Sequence, residues 1–455
     1  MLARLKKTMF GDIAPVEVKK YLLLALTFFF TIGAYWLLRP LKDGIFFNTV
    51  GKDLQPNAKW FSLVIVLFLV FVYNKMIDLF EKHKLFYILG IFYSALFFLI
   101  TYFLAHPTIG LANKAIGSHR WIGWLVYFSI ESFGSLMIAL FWSFVASITD
   151  ANSAKRGFPI VIAGGQVGGI LGPTLAMNAK LIGVTKLFFL ASIYPLLMVL
   201  MIMLFMYIIP KEALMGSEAD QEAAKKPKTS FMEGLKLLVT RSYLFGIFAI
   251  VSLFEILSTI VDYQLKVQAK ALPEYSDAES LTRFLGIFGI STNGVALIMA
   301  LLGTSYLMRR FGLIFCLLAF PTVLGFSISG LYFRSITPGI TPHALLWTTF
   351  FVMILAKGLS YALNNPAKDM MYIPTSKDAK FKTKSWIDAF GSRSAKAVGS
   401  GVNKGLLPIL QSSGIASFIG IGAISSLGMI AVWLFAALFV GRKFVYLTKE
   451  NKIIE

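Results

Sequence analysis

Apolar residues along this chain form uninterrupted runs of about 20 residues, the length that an α-helix needs to cross the hydrocarbon core of a bilayer. Short polar segments separate these runs. The pattern predicts an all-α, polytopic membrane protein of about twelve transmembrane helices. The predicted spans are 21–41, 60–79, 85–105, 121–148, 158–183, 187–209, 243–265, 284–307, 311–333, 343–364, 386–410 and 416–440.

The one long polar stretch, residues 211–241, divides these spans into two groups of six, and we interpret it as a flexible cytoplasmic linker. The two halves match weakly at an offset of about 225 residues, where Leu41-Lys42 corresponds to Leu265-Lys266 and Gly165 to Gly391. These matches predict two parallel six-helix repeats, an N-terminal bundle at 1–210 and a C-terminal bundle at 242–455. That is the organisation of major-facilitator-type transporters.

Composition argues against a water-soluble enzyme and against a nucleic-acid partner. Hydrophobic residues make up 57% of the 455 positions, and the net charge of +20 belongs to loops and spans instead of a soluble basic domain. Cys316 is the single cysteine, and the four histidines lack ligand spacing, so neither a disulfide framework nor a metal site is expected. The sequence contains no catalytic constellation, and we expect no cofactor.

The distribution of lysine and arginine predicts that both termini are cytoplasmic. In that orientation the cytoplasmic loops contain most of the basic residues, and the opposite loops contain few. The cytoplasmic basic residues include Lys82, Lys84, Lys155, Arg156, Arg309, Arg310 and those from Lys377 to Lys384.

The first span runs directly into Arg39-Pro40-Leu41-Lys42-Asp43, with no polar spacer. A charge near the middle of a bilayer costs on the order of 3 kcal/mol on insertion scales, so it is rarely kept without a use. Arg39 and Lys42 are three residues apart, so a continuing helix would put them on one face, where they could bind one anion together. This predicts a membrane transporter for a negatively charged substrate.

Glu131 and Lys357 lie well inside the fourth and tenth predicted spans. Glu131 either pairs with a basic residue to lock the bundle or releases a lysine in one state of transport. Lys357 either neutralises a counter-ion such as Glu131 or contacts a phosphate. Both alternatives for each residue are compatible with transport.

Span seven contributes Glu255 and Asp262, which are seven residues apart and therefore on about the same helical face. Asp262 is followed by Lys266, which repeats the basic cluster after span one. Asp262 is a candidate for either a functional role or structural pairing. We interpret Glu255 as an interhelical hydrogen-bond partner.

The densest basic cluster precedes and enters span eleven. Lys382 and Lys384 are loop lysines, which the topology explains most simply. Arg393 and Lys396 continue into the span on one helical face. Together with the basic pair of span one, they could close on a polyanion from both halves, and arginine binds phosphate oxygens in a bidentate way.

Span five contains Gly164-Gly165-Gln166-Val167-Gly168-Gly169. No strand precedes this segment and no Gly-Lys-Ser/Thr follows it, so it is not a phosphate loop. Small residues at this spacing instead predict close packing between helices.

Three segments show a recognisable order and spacing over most of the chain. They are Leu38-Arg39-Pro40-Leu41-Lys42-Asp43, Glu131-Ser132-Phe133-Gly134-Ser135, and Lys368-Asp369-Met370-Met371-Tyr372-Ile373-Pro374 leading to Lys382-Thr383-Lys384-Ser385-Trp386-Ile387-Asp388. In these segments the chain resembles the ATP/ADP translocases, the nucleotide transporters of intracellular bacteria and plastids.

The resemblance implies a twelve-span, major-facilitator-like carrier that moves nucleotides, often ATP in exchange for ADP plus phosphate. We expect it to lie in the lipid bilayer of a bacterial inner membrane. It assigns the functional lysine after span one to Lys42 and the span-four glutamate to Glu131. The basic residue near span eleven would be Lys384, with Lys382 as the alternative. The full set of predicted substrate-binding residues is Arg39, Lys42, Glu131, Asp262, Lys266, Lys357, Lys382, Lys384, Arg393 and Lys396.

Span seven departs from the family pattern. Family members usually have a Glu followed by Val-Thr-Trp-Lys, whereas this chain has Ile260-Val261-Asp262-Tyr263-Gln264-Leu265-Lys266. The functional carboxylate therefore stays open between Asp262 and Glu255. NAD, another nucleotide or another organic anion stays open as the substrate, with a proton or phosphate as co-substrate. A non-transporting membrane protein on the same fold is the remaining alternative.

Overall fold

The computed structural model describes residues 15–210, 231–302 and 304–454. Within these ranges the secondary structure is helical, apart from one isolated parallel bridge between Thr375 and Ile454. The all-α prediction is confirmed. Of the predicted linker, residues 211–230 lie outside the described ranges, and residues 231–240 form a helix.

The first half of the chain contributes six long helices to the described part. They are α1 (Pro15–Thr49), α2 (Gln55–Leu79), α3 (Lys82–Ala105), α4 (Trp121–Ser147), α5 (Ala151–Met177) and, after a short turn at Ala179–Ile182, α6 (Val184–Ile208).

The second half has helices of more varied length, and several of them are interrupted. They are α7 (Phe231–Thr240), α8 (Ser242–Ala271), α9 (Ala278–Leu302), α10 (Thr304–Ile336), α11 (Pro342–Leu359), α12 (Asn365–Met371), α13 (Lys377–Trp386) and α14 (Ser392–Lys449). Short π-helical segments join α11 to α12 at Ser360–Asn364 and α13 to α14 at Ile387–Gly391.

Within the described ranges, eleven helices are long and apolar enough to cross a membrane. The last of them, α14, is 58 residues long and breaks at Gly414, where φ is +79°. Glycine adopts this left-handed conformation without the steric cost that a Cβ would bring. The break divides α14 into two helical segments, 392–413 and 415–449, which agrees with the prediction of about twelve spans.

Several helix boundaries differ from the prediction, most clearly in α1. This helix continues to Thr49, past the predicted end at residue 41. Charged residues interrupt the apolar run there, but Lys42 and Asp43 are buried inside the protein. The helix therefore extends beyond the point at which the apolar pattern stops.

Packing divides the described residues into two compact units. The first contains residues 15–51, 64–210 and 277–290, and the second contains 52–63, 231–276 and 291–454. Helices α2 and α9 each contribute to both units. The division into bundles at 1–210 and 242–455 stays a prediction.

In the first unit, α1 and α5 pack through the glycines of α5. A Cβ at Gly164 would lie 2.3 Å from the Ala25 carbonyl oxygen, and one at Gly168 would lie 2.4 Å from that of Phe29. Both neighbours are backbone atoms, so only glycine permits this approach. The predicted packing role of the glycine segment is confirmed.

In the second unit, α8 packs against α14 in a similar way. A Cβ at Gly422 would lie 1.8 Å from Gln264 Nε2, and that amide donates a 3.0 Å hydrogen bond to the carbonyl oxygen of Phe418. A polar side chain of α8 therefore lies directly against the α14 backbone, next to the charged residues of α8.

Candidate functional site

The Lys42 ammonium group of α1 forms a buried ion pair with Glu131 of α4. Its Nζ donates to Glu131 Oε1, and 6% of the lysine side chain is exposed. The ring centroid of Tyr127, one turn before Glu131, lies 4.6 Å from the same Nζ. A carboxylate and an aromatic face thus stabilise the charge of Lys42 away from water.

Arg39 precedes Lys42 by one helical turn in α1. The helix runs without interruption through Pro40, so the two basic residues are neighbours on one face, as the spacing predicted. The Arg39 guanidinium carbon lies 5.2 Å from the ring centroid of Trp36. A guanidinium group at this distance from an aromatic ring makes a cation–π contact.

In the second unit, Lys266 forms an ion pair within α8. Its Nζ lies 2.5 Å from Asp262 Oδ2, one turn earlier in the same helix, and the two side chains are 6% and 14% exposed. Tyr263 donates from its hydroxyl group to the Lys52 carbonyl oxygen at 3.1 Å. The structure thus brings together two of the predicted residues, Asp262 and Lys266.

A second charged cluster of this unit surrounds Glu255 of α8. Ser392 of α14 donates to Glu255 Oε1 at 3.1 Å, and Lys396 Nζ, also of α14, lies 3.6 Å from Oε2. Lys357 of α11 is close enough to interact electrostatically with the same carboxylate. Its Nζ is 5.8 Å from the ring centroid of Phe254.

The Glu255 cluster joins residues that the sequence had treated separately. The hydrogen bond from α14 confirms that Glu255 is an interhelical partner. In the structure, Lys357 and Lys396 both lie near the Glu255 carboxylate. Arg393 lies on α14 one turn before Lys396, at the predicted spacing.

Lys382 and Lys384 lie on α13, away from the Glu255 cluster. Lys382 Nζ is 2.8 Å from Glu233 Oε2 of α7, and Lys384 Nζ is 2.7 Å from Asp369 Oδ1 of α12. Twelve residues of continuous helix, about 18 Å, separate Lys384 from Lys396. Both predicted lysines therefore belong to ion pairs that link α13 to neighbouring helices.

The two π-helical segments are features that the sequence analysis missed. One follows Lys357, and the other precedes Arg393, so each lies beside the charged residues of its helix. Such segments are rare and frequently occur at functional sites. A partial signal was available, since Pro366 lacks the N–H group that a regular helix needs and lies two residues after the first segment.

Comparisons with known proteins agree with this architecture. The family model described as TLC ATP/ADP transporter matches residues 2–444. ADP,ATP carrier protein 1 of Chlamydia muridarum is 27% identical, with 96% of this chain and 91% of the relative covered. ADP,ATP carrier protein 3 of Rickettsia bellii is 25% identical, with 97% and 98% covered. The chloroplastic ADP,ATP carrier protein 2 of Arabidopsis thaliana is 26% identical, with 96% and 76% covered.

Solved structures of other membrane transporters share the fold at low sequence identity. A bacterial homologue of the iron transporter ferroportin superposes with a TM-score of 0.63 at 13% identity, covering 93% of this chain and 100% of its own. The nucleoside transporter NupG superposes with a TM-score of 0.55 at 13% identity, covering 94% and 99%. The fold is therefore major-facilitator-like. Because the family match spans nearly the whole sequence, this chain belongs to the TLC ATP/ADP transporter family and is a multi-pass membrane transporter, not an enzyme.

Proposed function

We propose that this protein moves nucleotides across a bacterial inner membrane by alternating access, taking up ATP in exchange for ADP. The match of the family model over residues 2–444 carries the proposal. The names of the relatives support the nucleotide as cargo, and the Chlamydia and Rickettsia relatives support a bacterial membrane. Transporters of this architecture bind their substrates near the bilayer midplane.

In this proposal, the buried lysines neutralise the phosphates of the nucleotide. Lys42 and Lys266 are each held by a carboxylate when no substrate is present, Glu131 and Asp262 respectively. An entering phosphate group competes with those carboxylates for the ammonium groups. The ion pairs therefore keep the lysines charged and correctly placed inside an apolar protein, at little net gain in stability.

Further basic residues contribute positive charge around the phosphates. Arg39 and Arg393 offer planar guanidinium groups that match phosphate oxygens in pairs. The remaining members of the proposed set are the lysines Lys357, Lys382, Lys384 and Lys396. Lys382 pairs with Glu233, and Lys384 pairs with Asp369. These pairs fit a role at the mouth of the substrate pathway better than a role near the bilayer midplane.

The orientation of the protein is a further part of the proposal. Lysine and arginine are concentrated in alternate loops, which supports cytoplasmic locations for both termini. In that orientation, α7 and α13, which carry Glu233 and Lys382, lie on the cytoplasmic side.

A second candidate is import of NAD, another nucleotide or another organic anion, with a proton or phosphate as co-substrate. The observation that favours it is the sequence of span seven. Asp262 stands where a Glu is usual in the family, and it pairs within its own helix. The side chain of Asp262 is shorter than that of a glutamate and is held by Lys266. Its carboxylate would therefore meet the substrate or a proton at a different position.

Uptake of labelled ATP into liposomes containing the purified protein tests the proposal. Liposomes loaded with ADP, unloaded liposomes and protein-free liposomes are compared. Uptake that rises with internal ADP supports exchange. Uptake that ignores internal ADP but collapses with a protonophore favours proton-driven import. If no ATP enters while labelled NAD or another phosphorylated anion does, ATP/ADP exchange is wrong.

A further inference from the structure

Three charged side chains of the second unit converge from the middles of three helical stretches. Glu255 lies near the middle of the 30-residue helix α8. Lys357 lies near the middle of the continuous stretch 342–371, and Lys396 near the middle of 377–413. Ser392 adds a hydroxyl donor to the same carboxylate. The cluster is therefore far from the helix ends, where long side chains could reach water at the membrane surface.

The Glu255 cluster is accessible. One-fifth of the Glu255 side chain and 43% of the Lys396 side chain are exposed. Charged groups at this depth face the interior or a water-filled cavity instead of lipid, because lipid would leave them unsolvated. An anion that entered such a cavity would meet these groups.

The distance between Lys396 and Glu255 is also long for an ion pair. The distance of 3.6 Å exceeds the 2.7–2.9 Å that is typical of a hydrogen bond between an ammonium group and a carboxylate. The Asp262–Lys266 pair of the same unit, by contrast, is in direct contact at 2.5 Å. Of these two carboxylates, Glu255 therefore has the longer distance to its lysine partner, which leaves more room for an incoming anion to approach that ammonium group.

Carboxylate and phosphate oxygens accept hydrogen bonds from the same ammonium and hydroxyl groups. We propose that Glu255 stands in for a substrate phosphate against Lys357 and Lys396 in the empty carrier, and that an entering phosphate takes its place. This inference rests on the proposed nucleotide transport. It assigns an anion site to Lys357, Lys396 and Ser392, and it makes Glu255 the internal competitor of that site.

An internal competitor weakens anion binding and speeds anion release. On the helices that carry the cluster, the charged residues within two turns of its members are the two lysines themselves, Arg393 one turn before Lys396, and Asp262 two turns after Glu255. Replacing Glu255 with a neutral residue leaves the basic groups in excess. The site should then hold an anion more tightly and release it more slowly.

The test uses the full-length protein in nanodiscs and inorganic pyrophosphate as the probe. Binding is measured for the wild type, for Glu255→Gln and for Glu274→Gln. Glu274 is an exposed residue that pairs with His343 at 2.6 Å, so its substitution is the same chemical change outside the cluster. We expect Glu255→Gln to bind pyrophosphate roughly tenfold more tightly, within the range usual for coupled sites, and Glu274→Gln to match the wild type.

Two further variants make the result specific. Lys396→Gln added to Glu255→Gln should remove the gain in affinity, because the anion loses its ammonium partner. Glu255→Asp keeps the charge but moves it away from Lys396, so it should show a smaller gain. This variant also provides the measurement if Glu255→Gln does not fold. Unchanged or weaker pyrophosphate binding by the folded variants would overturn the inference.

Transport separates this inference from the proposed function. Glu255→Gln should lower both the KM for ATP and the maximal rate of exchange, since tighter binding slows release. If the wild type takes up no ATP but Glu255→Gln binds pyrophosphate more tightly, the anion site stands and the nucleotide proposal falls. If the wild type exchanges ATP for ADP and pyrophosphate binding does not change, only the role of Glu255 falls.

Discussion

Lys42 and Lys266 are buried to the same degree, each with 6% of its side chain exposed, and each forms an ion pair with a carboxylate of its own unit. The two lysines also correspond in the weak sequence repeat. Their counter-ions have different origins, because Glu131 comes from a second helix and Asp262 from the helix of Lys266 itself. The first pair therefore connects α1 to α4, whereas the second lies within α8.

Lys42→Gln should abolish ATP uptake while the protein remains inserted in the membrane. The substitution removes the ammonium group proposed to bind phosphate and takes the Lys42 charge away from the half-buried Glu131, which costs up to about 3 kcal/mol. Uptake into liposomes and thermal unfolding in detergent measure the two effects separately.

The double variant Lys42→Gln/Glu131→Gln separates binding from packing. It removes both charges, so thermal stability should recover although uptake should not. Lys52→Gln is the matched control, since this lysine lies at the surface and pairs with Asp53 at 3.0 Å. Normal uptake by an inserted Lys42→Gln variant would remove Lys42 from the mechanism.

Exchanging the members of the second pair, as Asp262→Lys with Lys266→Asp, tests whether the pair is only structural. The i, i+4 spacing lets the reversed pair form within the helix, with a small loss from the less favourable orientation. We expect a modest change in thermal stability, because both charges stay paired in the same helix, and at least a tenfold loss of ATP uptake. Wild-type uptake by the swapped protein would assign the pair a purely structural role.

The fold could be predicted from the sequence because the apolar runs are long and the bilayer allows few alternatives. Span number, helical class and the packing role of Gly164 and Gly168 all follow from local patterns. The end of α1 did not, because Lys42 and Asp43 resemble a helix terminus until their burial is known. Local pattern cannot distinguish a charge that ends a span from one that a neighbouring helix neutralises.

The sequence predicted individual residues of the candidate site, but it did not predict which of them pair. Charged positions inside apolar runs identified Lys42, Glu131, Lys357 and Lys396, but pairing depends on which helix faces rotate toward each other. The sequence therefore left Glu131 as a candidate partner for Lys357, whereas the structure pairs it with Lys42 and places Lys357 near Glu255. Lys384 was favoured by its motif, yet its ion pair with Asp369 depends on the turn between α12 and α13.

Asp277→Asn should remove an acid-sensitive contribution to stability at the start of α9. Asp277 Oδ1 accepts from the Ser280 backbone N–H at 2.8 Å, and Oδ2 accepts from the Ser280 hydroxyl group at 2.5 Å. Burial raises the pKa of Asp277, but these hydrogen bonds outweigh burial and lower it below the usual value. The stabilisation should therefore be complete above about pH 4, where the unfolded carboxyl is also ionised, and be lost as the pH falls through the folded pKa. Melting temperatures should differ at pH 7 and approach each other as the pH is lowered below about 4, and equal values at pH 7 would contradict the expectation.

Gly168→Ala should destabilise the first unit, although alanine is normally the better helix former. Its Cβ would lie 2.4 Å from the Phe29 carbonyl oxygen, and a backbone atom of α1 moves only if the two helices separate. We expect a loss of about 1–3 kcal/mol, the usual cost of overpacking, measured by thermal unfolding in detergent. Gly428→Ala is the matched control, because nothing lies within 4 Å of its added Cβ, so its stability should equal or slightly exceed that of the wild type. Equal melting temperatures for both variants would mean that α1 and α5 approach less closely than their glycines allow.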